Sequence, residues 1–181
     1  MKTLAIFLMV AMLSTSLLSQ TNKTFHDFTV ETLEGDEFNL SSLKGKKVMV
    51  VNVASKCGLT PQYEQLQEVY EKYGGENFTI IGFPANNFLR QEPGNAEDIR
   101  EFCTENYGVT FPLMAKISVK GKDMNEVYQW LTQKDQNGVL DSKVAWNFQK
   151  YLIDENGHLV EMMTPKTKPD SEEIIRWIEA D

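Results

Sequence analysis

The run Val48-Met49-Val50-Val51-Asn52-Val53 constrains this chain most, because almost every residue in it is apolar and none leaves an obvious solvent face. A half-exposed strand alternates apolar with polar residues. A near-continuous run must instead be covered on both sides, as in the centre of an α/β sheet. The run breaks through Ala54-Ser55-Lys56 into a helix that begins near Pro61, with Cys57 in the break. A cysteine there feels the positive end of the helix dipole and free backbone N–H groups, both of which favour thiolate, the reactive form. Position alone leaves two readings open: a redox nucleophile, or a buried and inert small hydrophobe.

The pattern around the strand supplies the rest of the fold. Phe28-Thr29-Val30 and Glu37-Phe38-Asn39 flank the turn residues Glu34-Gly35-Asp36 and predict an N-terminal hairpin, followed by a short capped turn at Ser41-Ser42-Leu43. After Pro61, Leu66, Val69, Tyr70 and Tyr73 recur at helical spacing until Gly74-Gly75. Phe78 to Phe83 is a second buried strand, completing a βαβ unit with a right-handed crossover. Beyond a long loop, Pro84 to Gly94, Asn95 caps a helix with Ile99, Phe102 and Cys103 on one face, closed by Gly108. Lys116 to Val119 reads as a short strand and Asn125 to Gln133 as a helix. Val144 to Ile153 reads as a strand turned by Asn156-Gly157 into another, His158 to Met162, before a last helix over Ser171 to Ala180. No repeat or linker interrupts this order, so residues 21–181 read as one α/β domain whose element order resembles a thioredoxin fold with an insertion.

The first twenty residues stand apart. Lys2 precedes an apolar run from Leu4 to Leu13, then Ser14-Thr15-Ser16 and Ser19, the pattern of a secretory signal peptide cut between positions 16 and 22. The alternative is an uncleaved anchor, which requires the run to cross three hydroxyl residues to reach Leu18. Export to the periplasm or the extracellular space is the expectation. No other apolar stretch is long enough to span a bilayer, so no stable membrane association of the mature domain is expected. A net charge of −8 argues against nucleic acid or an anionic membrane as partner, since both require clustered Lys and Arg.

Cys57 and Cys103 are the only cysteines. An exported protein with an even count suggests a disulfide, but a domain of this size does not depend on one bridge for its core, and redox chemistry is the better explanation. A cysteine hydrolase needs a histidine base, and both histidines, His26 and His158, read as surface residues away from Cys57. A dithiol oxidoreductase needs a second sulfur that Cys57-Gly58-Leu59-Thr60 lacks. Clustered ligands for a metal are missing as well.

Three blocks carry a specific resemblance. Asn52 through Cys57-Gly58-Leu59-Thr60, Phe83-Pro84 through Gln91-Glu92-Pro93, and Trp146-Asn147-Phe148 occur in the order of the signature blocks of the glutathione peroxidase family, and the similarity runs from about Phe25 to the C-terminus. It implies a thioredoxin-like fold, with a central mixed sheet flanked by helices. It also implies a catalytic tetrad on Cys57, Gln91, Trp146 and Asn147, with cysteine where some relatives carry selenocysteine. Carboxamides and an indole are neutral N–H donors, suited to stabilising a thiolate without trapping it in an ion pair and to orienting a peroxide.

The resemblance further implies a resolving role for Cys103, which would condense with a Cys57 sulfenic acid, and a thioredoxin-like protein or glutathione as reducing co-substrate in place of any bound cofactor. A helical Cys103 would need local unwinding to meet Cys57. Two departures stand out: Ala85 replaces a cysteine usual in the family, leaving Cys103 as the one internal partner, and Asn87 replaces a glutamine, putting its support of the loop in doubt. The short stretch from Gln133 to Lys143 looks like the monomeric, thioredoxin-using branch. Its open site would take hydrogen peroxide and organic or lipid hydroperoxides, with Phe88 and Trp146 as a candidate apolar rim unless Phe88 is core. A redox sensor that passes a disulfide to a partner protein is the alternative to a scavenger.

Overall fold

The computed structural model describes residues 23–180, and the expected signal peptide lies outside them. A two-stranded antiparallel hairpin, β1 (Thr29–Glu31) and β2 (Glu37–Asn39), leads into a 3-10 turn at Leu40–Leu43, which Asn39 caps by accepting from Ser41 N. The main sheet has four strands: β3 (Lys47–Val53), β4 (Phe78–Pro84), β5 (Lys150–Ile153) and β6 (Leu159–Met163), in the order β4-β3-β5-β6. β3 and β4 are parallel, while β5 runs antiparallel to both β3 and β6. The mixed sheet flanked by helices is the thioredoxin-like α/β arrangement expected from the sequence.

Strand periodicity sorts the core into two layers. Val48 and Val50 of β3, Ile81 and Phe83 of β4 and Tyr151 and Ile153 of β5 point to one side, where they meet Phe25, Phe28, Leu40 and helix α3 (Glu126–Thr132). Met49, Val51 and Val53, Ile80 and Leu152 point to the other, against helices α1 (Gln62–Tyr73), α2 (Ala96–Tyr107) and α5 (Glu172–Glu179). Both cysteines belong to this second layer, and Trp146 packs against the edges of both layers. A short helix α4 (Lys134–Asn137), unforeseen in the sequence, follows α3.

Two expected strands are shorter or absent for local reasons. Lys116 to Val119 forms no strand because its backbone donors go to separate places: Ile117 N to Pro84 O, Val119 N to the Asn87 side chain. The strand expected from Val144 starts only at Lys150, because Phe148 adopts φ +67, a left-handed conformation that ends extended structure.

His26 is a correction. It is buried, 4% exposed, not on the surface, and burial together with nearby Lys44 holds its imidazole below the usual range. Gly157, at φ +84 in the hairpin joining β5 to β6, allows this packing, since a Cβ there would lie 2.7 Å from His26 Nδ1. Gly157→Ala combines left-handed strain with overpacking and is expected to lower stability by about 2 kcal/mol, measurable by denaturant titration. His158 is exposed, as expected.

Candidate active site

Cys57 lies in a tight turn between β3 and α1 that its own neighbours build. Cys57 N donates to Thr60 Oγ1 at 3.0 Å, and that hydroxyl donates to Ala54 O at 2.8 Å, so one threonine closes the turn from both ends. Thr60 N bonds to Cys57 O and Gln62 N to Leu59 O, which leads directly into α1. Cys57 is 8% exposed, and its sulfur accepts a hydrogen bond from Leu59 N at 3.4 Å. It thus faces a backbone donor at the entrance of a helix, the position the sequence suggested.

The second element is the loop from Ala85 to Gly94. Leu89 and Arg90 both have positive φ, +50 and +55, a strained pair that turns the chain back so that Gln91 N reaches Phe88 O and Asn86 Oδ1 accepts from Glu92 N. Gln91 O accepts from Lys56 N at 2.9 Å, joining this loop to the cysteine turn. Glu92 completes the join: it is fully buried, with Oε2 accepting from Ser55 N at 2.9 Å and Oε1 from the Ser55 hydroxyl at 2.6 Å. Burial pushes its carboxyl up, and the two Ser55 bonds pull the other way. Asn87, whose role the sequence left in doubt, fastens the loop by accepting from Val119 N at 2.8 Å and donating to Ser118 Oγ at 2.9 Å.

The third element is Trp146-Asn147-Phe148. Asn52, the lone polar residue in the apolar run, donates to Trp146 O at 3.1 Å and accepts from Phe148 N through its carbonyl at 2.6 Å. Asn147 is fully buried and donates to Gln91 Oε1 at 3.0 Å. That bond fixes the Gln91 carboxamide with its oxygen occupied and its NH2 as the remaining polar end. Trp146 is half-buried against Phe88, with ring centroids 5.2 Å apart. Phe88 itself is core, 3% exposed, so Trp146 alone of the pair borders solvent.

The structure therefore ties Gln91 directly to Asn147 and joins their segments to the Cys57 turn. Among the described residues neither carboxamide nor the indole hydrogen-bonds to the sulfur itself; that donor is Leu59 N. Leu59, Thr60, Ser55, Glu92 and Asn52 were missed as site builders. The legible signals were a threonine three residues after the cysteine, a glutamate beside Gln91, and an asparagine in a strand buried on both faces.

Cys103 is fully buried on α2, and both cysteines are free thiols. Burial pushes the Cys103 thiol up to about 11, with the Tyr63 hydroxyl pulling it down less strongly. α2 is fixed at its start by a reciprocal capping box between Asn95 and Asp98. Its other end closes on left-handed Gly108, where the Cys103 carbonyl accepts from Gly108 N and Val109 N. In the reduced native protein, iodoacetamide is expected to label Cys57 well before Cys103, whose thiolate fraction falls about a hundredfold below that of an ordinary thiol. Peptide mapping of the alkylated protein checks this.

An apolar recess of about 520 Å³ opens beside the cysteine turn, lined by Leu59, Ala145, Trp146, Thr164, Pro165 and Lys166. Among the described residues no helix is long and apolar enough to cross a membrane.

Comparison with known proteins decides the family. Residues 25–132 match the family model for glutathione peroxidase. The chain belongs to the glutathione peroxidase family. As a member of that family it is a peroxidase. The chain is 49% identical over 149 residues to glutathione peroxidase-like peroxiredoxin 2 of Saccharomyces cerevisiae, covering 82% of this chain and 91% of that protein. It is 45% identical over 157 residues to the glutathione peroxidase homolog BsaA of Halalkalibacterium halodurans, covering 84% and 99%. The apo crystal structure of Trgpx superimposes with a TM-score of 0.67 at 37% identity, over 87% of this chain and 97% of that one.

Proposed function

We propose that this glutathione peroxidase family member reduces hydrogen peroxide and organic or lipid hydroperoxides through Cys57, with Gln91, Trp146 and Asn147 as the groups around the reacting atoms. The observation that carries the reading is the joining of two distant segments to the Cys57 turn, through Lys56 N to Gln91 O, Ser55 to Glu92, and Asn147 to Gln91. The Cys57 thiolate attacks the terminal oxygen of ROOH. The O–O bond breaks, sulfur becomes a sulfenic acid, and the departing alkoxide takes a proton to leave as an alcohol or water. Leu59 N supports the anionic sulfur, while the Gln91 NH2 and the Trp146 indole are neutral donors for peroxide oxygens. Asn147 Oδ1, buried without a partner, is an acceptor that a hydroperoxide O–H would satisfy.

Cys103 then attacks the Cys57 sulfenic acid, forming a disulfide and releasing water; a thioredoxin-like dithiol, or glutathione, returns both sulfurs to thiols. Because the Cys103 carbonyl belongs to the closing cap of α2, this step unwinds the last turns of that helix. The recess beside Leu59 and Trp146 opens two residues along the turn from Cys57 and receives the organic part of larger hydroperoxides. The working protein is a monomer, exported to the periplasm or the extracellular space.

One equivalent of hydroperoxide followed by mass spectrometry tests the cycle, the expected product being a Cys57–Cys103 link. Cys103→Ser should keep the first turnover and lose recycling by thioredoxin. Equal loss of the first turnover in Cys103→Ser and Cys57→Ser would reject the resolving role, and turnover sustained by glutathione but not by thioredoxin would reject the dithiol donor.

A further inference from the structure

The wall of the apolar recess is held from behind by a buried cation. Lys150 is fully buried on β5 and lies on the α1 side of the sheet, as does Leu152 two residues on. Its ammonium donates to Gln62 Oε1 at the start of α1, and to the carbonyls of Thr167 at 2.5 Å and Pro165 at 3.5 Å. Gln62 Nε2 donates to the same Pro165 carbonyl at 2.8 Å. Thr167 N bonds back to Thr164 O at 3.1 Å, so the wall residues Thr164, Pro165 and Lys166 sit in a turn fastened from inside. No carboxylate pairs with Lys150 among the described residues, and burial pushes its ammonium down to about 7. A methionine would fill the same space without the cost of desolvating a charge. What the cation adds is directional: three donors for three acceptors on two separate segments.

We propose that Lys150 is a positioning residue which, with Gln62, holds the 164–168 segment against the start of α1 and so sets the shape of the recess that receives the organic part of the hydroperoxide. The inference rests on the reading of that recess given above. The Lys150 hydrogen bonds reach none of Cys57, Gln91, Trp146 or Asn147, so its effect falls on substrate selection rather than on the O–O cleavage itself.

The test compares rate constants for Cys57 oxidation by hydrogen peroxide and by cumene hydroperoxide in the full protein and in Lys150→Met, Gln62→Leu and Thr164→Trp. Lys150→Met is expected to lose on the order of tenfold with cumene hydroperoxide, the scale on which an apolar pocket discriminates, and less than about twofold with hydrogen peroxide. Gln62→Leu should shift the ratio in the same direction, and amide exchange at Thr167 should quicken in both. Equal loss with both peroxides, or an unchanged ratio in a folded variant, overturns the proposal. If Lys150→Met does not fold, Gln62→Leu decides alone. Thr164→Trp fills the recess and separates the two readings. If it leaves cumene hydroperoxide reduction intact, the recess is not the organic subsite and the proposal falls with it. If it suppresses that reduction while the Lys150 and Gln62 variants do not, the recess stands and only the role of Lys150 is overturned.

Discussion

Cys57→Ser is expected to lower hydroperoxide turnover by more than about a thousandfold while leaving the fold intact. Serine is nearly the same size, the turn around position 57 is made chiefly by backbone and by Thr60, and a serine hydroxyl can accept from Leu59 N as the sulfur does. What is lost is the polarisable, nucleophilic sulfur that takes up the peroxide oxygen. Consumption of hydrogen peroxide with a dithiol reductant, read beside a thermal unfolding curve, separates the two effects. A folded serine variant that still turned over at a few per cent of the original rate would place the chemistry on another group.

Glu92→Ala is expected to produce the second largest change, on stability and activity together. The carboxylate accepts from both the amide and the hydroxyl of Ser55 in a buried setting, and its removal strands both donors two residues from Cys57. A buried donor left without its acceptor costs about 1–3 kcal/mol, so a loss of about 3 kcal/mol is expected for the two, with a fall in the rate of Cys57 oxidation as the turn loosens. Glu92→Gln should recover most of it. Its single carbonyl oxygen keeps the bond from Ser55 N, and the Ser55 hydroxyl rotates to accept from the new NH2. Glu92 has its carboxyl pushed up by burial, so its folded value exceeds its unfolded one. Its contribution is therefore fully present below the unfolded value and declines as pH rises through the folded one. The glutamine variant lacks that decline. Denaturant midpoints for the three proteins across the acidic range check the sign.

The parts of this molecule legible in its sequence are those decided locally. The unbroken run of β3, the Asn95 cap and Gly108 stop of α2, and the Asn156-Gly157 hairpin each specify their structure within a few residues, and each was found where expected. The segments misread were those decided by distant partners. Lys116 to Val119 has strand composition, yet its Ile117 and Val119 amides are claimed by Pro84 O and the Asn87 side chain, and Trp146 to Gln149 has strand composition, yet Asn52 pulls Phe148 into a left-handed turn. Burial of His26 was invisible because it depends on a glycine 131 positions away that leaves room for the ring. The site shows the same division. Cys57, Gln91, Trp146 and Asn147 were nameable from motif blocks, whereas the clasp between Ser55 and Glu92 and the buried Lys150 emerge only when the strands are laid side by side.

The strict alternation of β3 between the two core layers gives the Cys57 sulfur a fixed address. Inserting or deleting one residue between Val48 and Val53 would exchange odd for even positions, sending Val51 and Val53 toward α3 and turning the next loop by half a revolution. No side-chain repair on either layer would bring the Cys57 turn back to the Gln91 carbonyl that accepts from Lys56 N. Substitutions that keep this strand's form thus exchange one apolar side chain for another and spare Asn52, while its length fixes where the Cys57 turn begins.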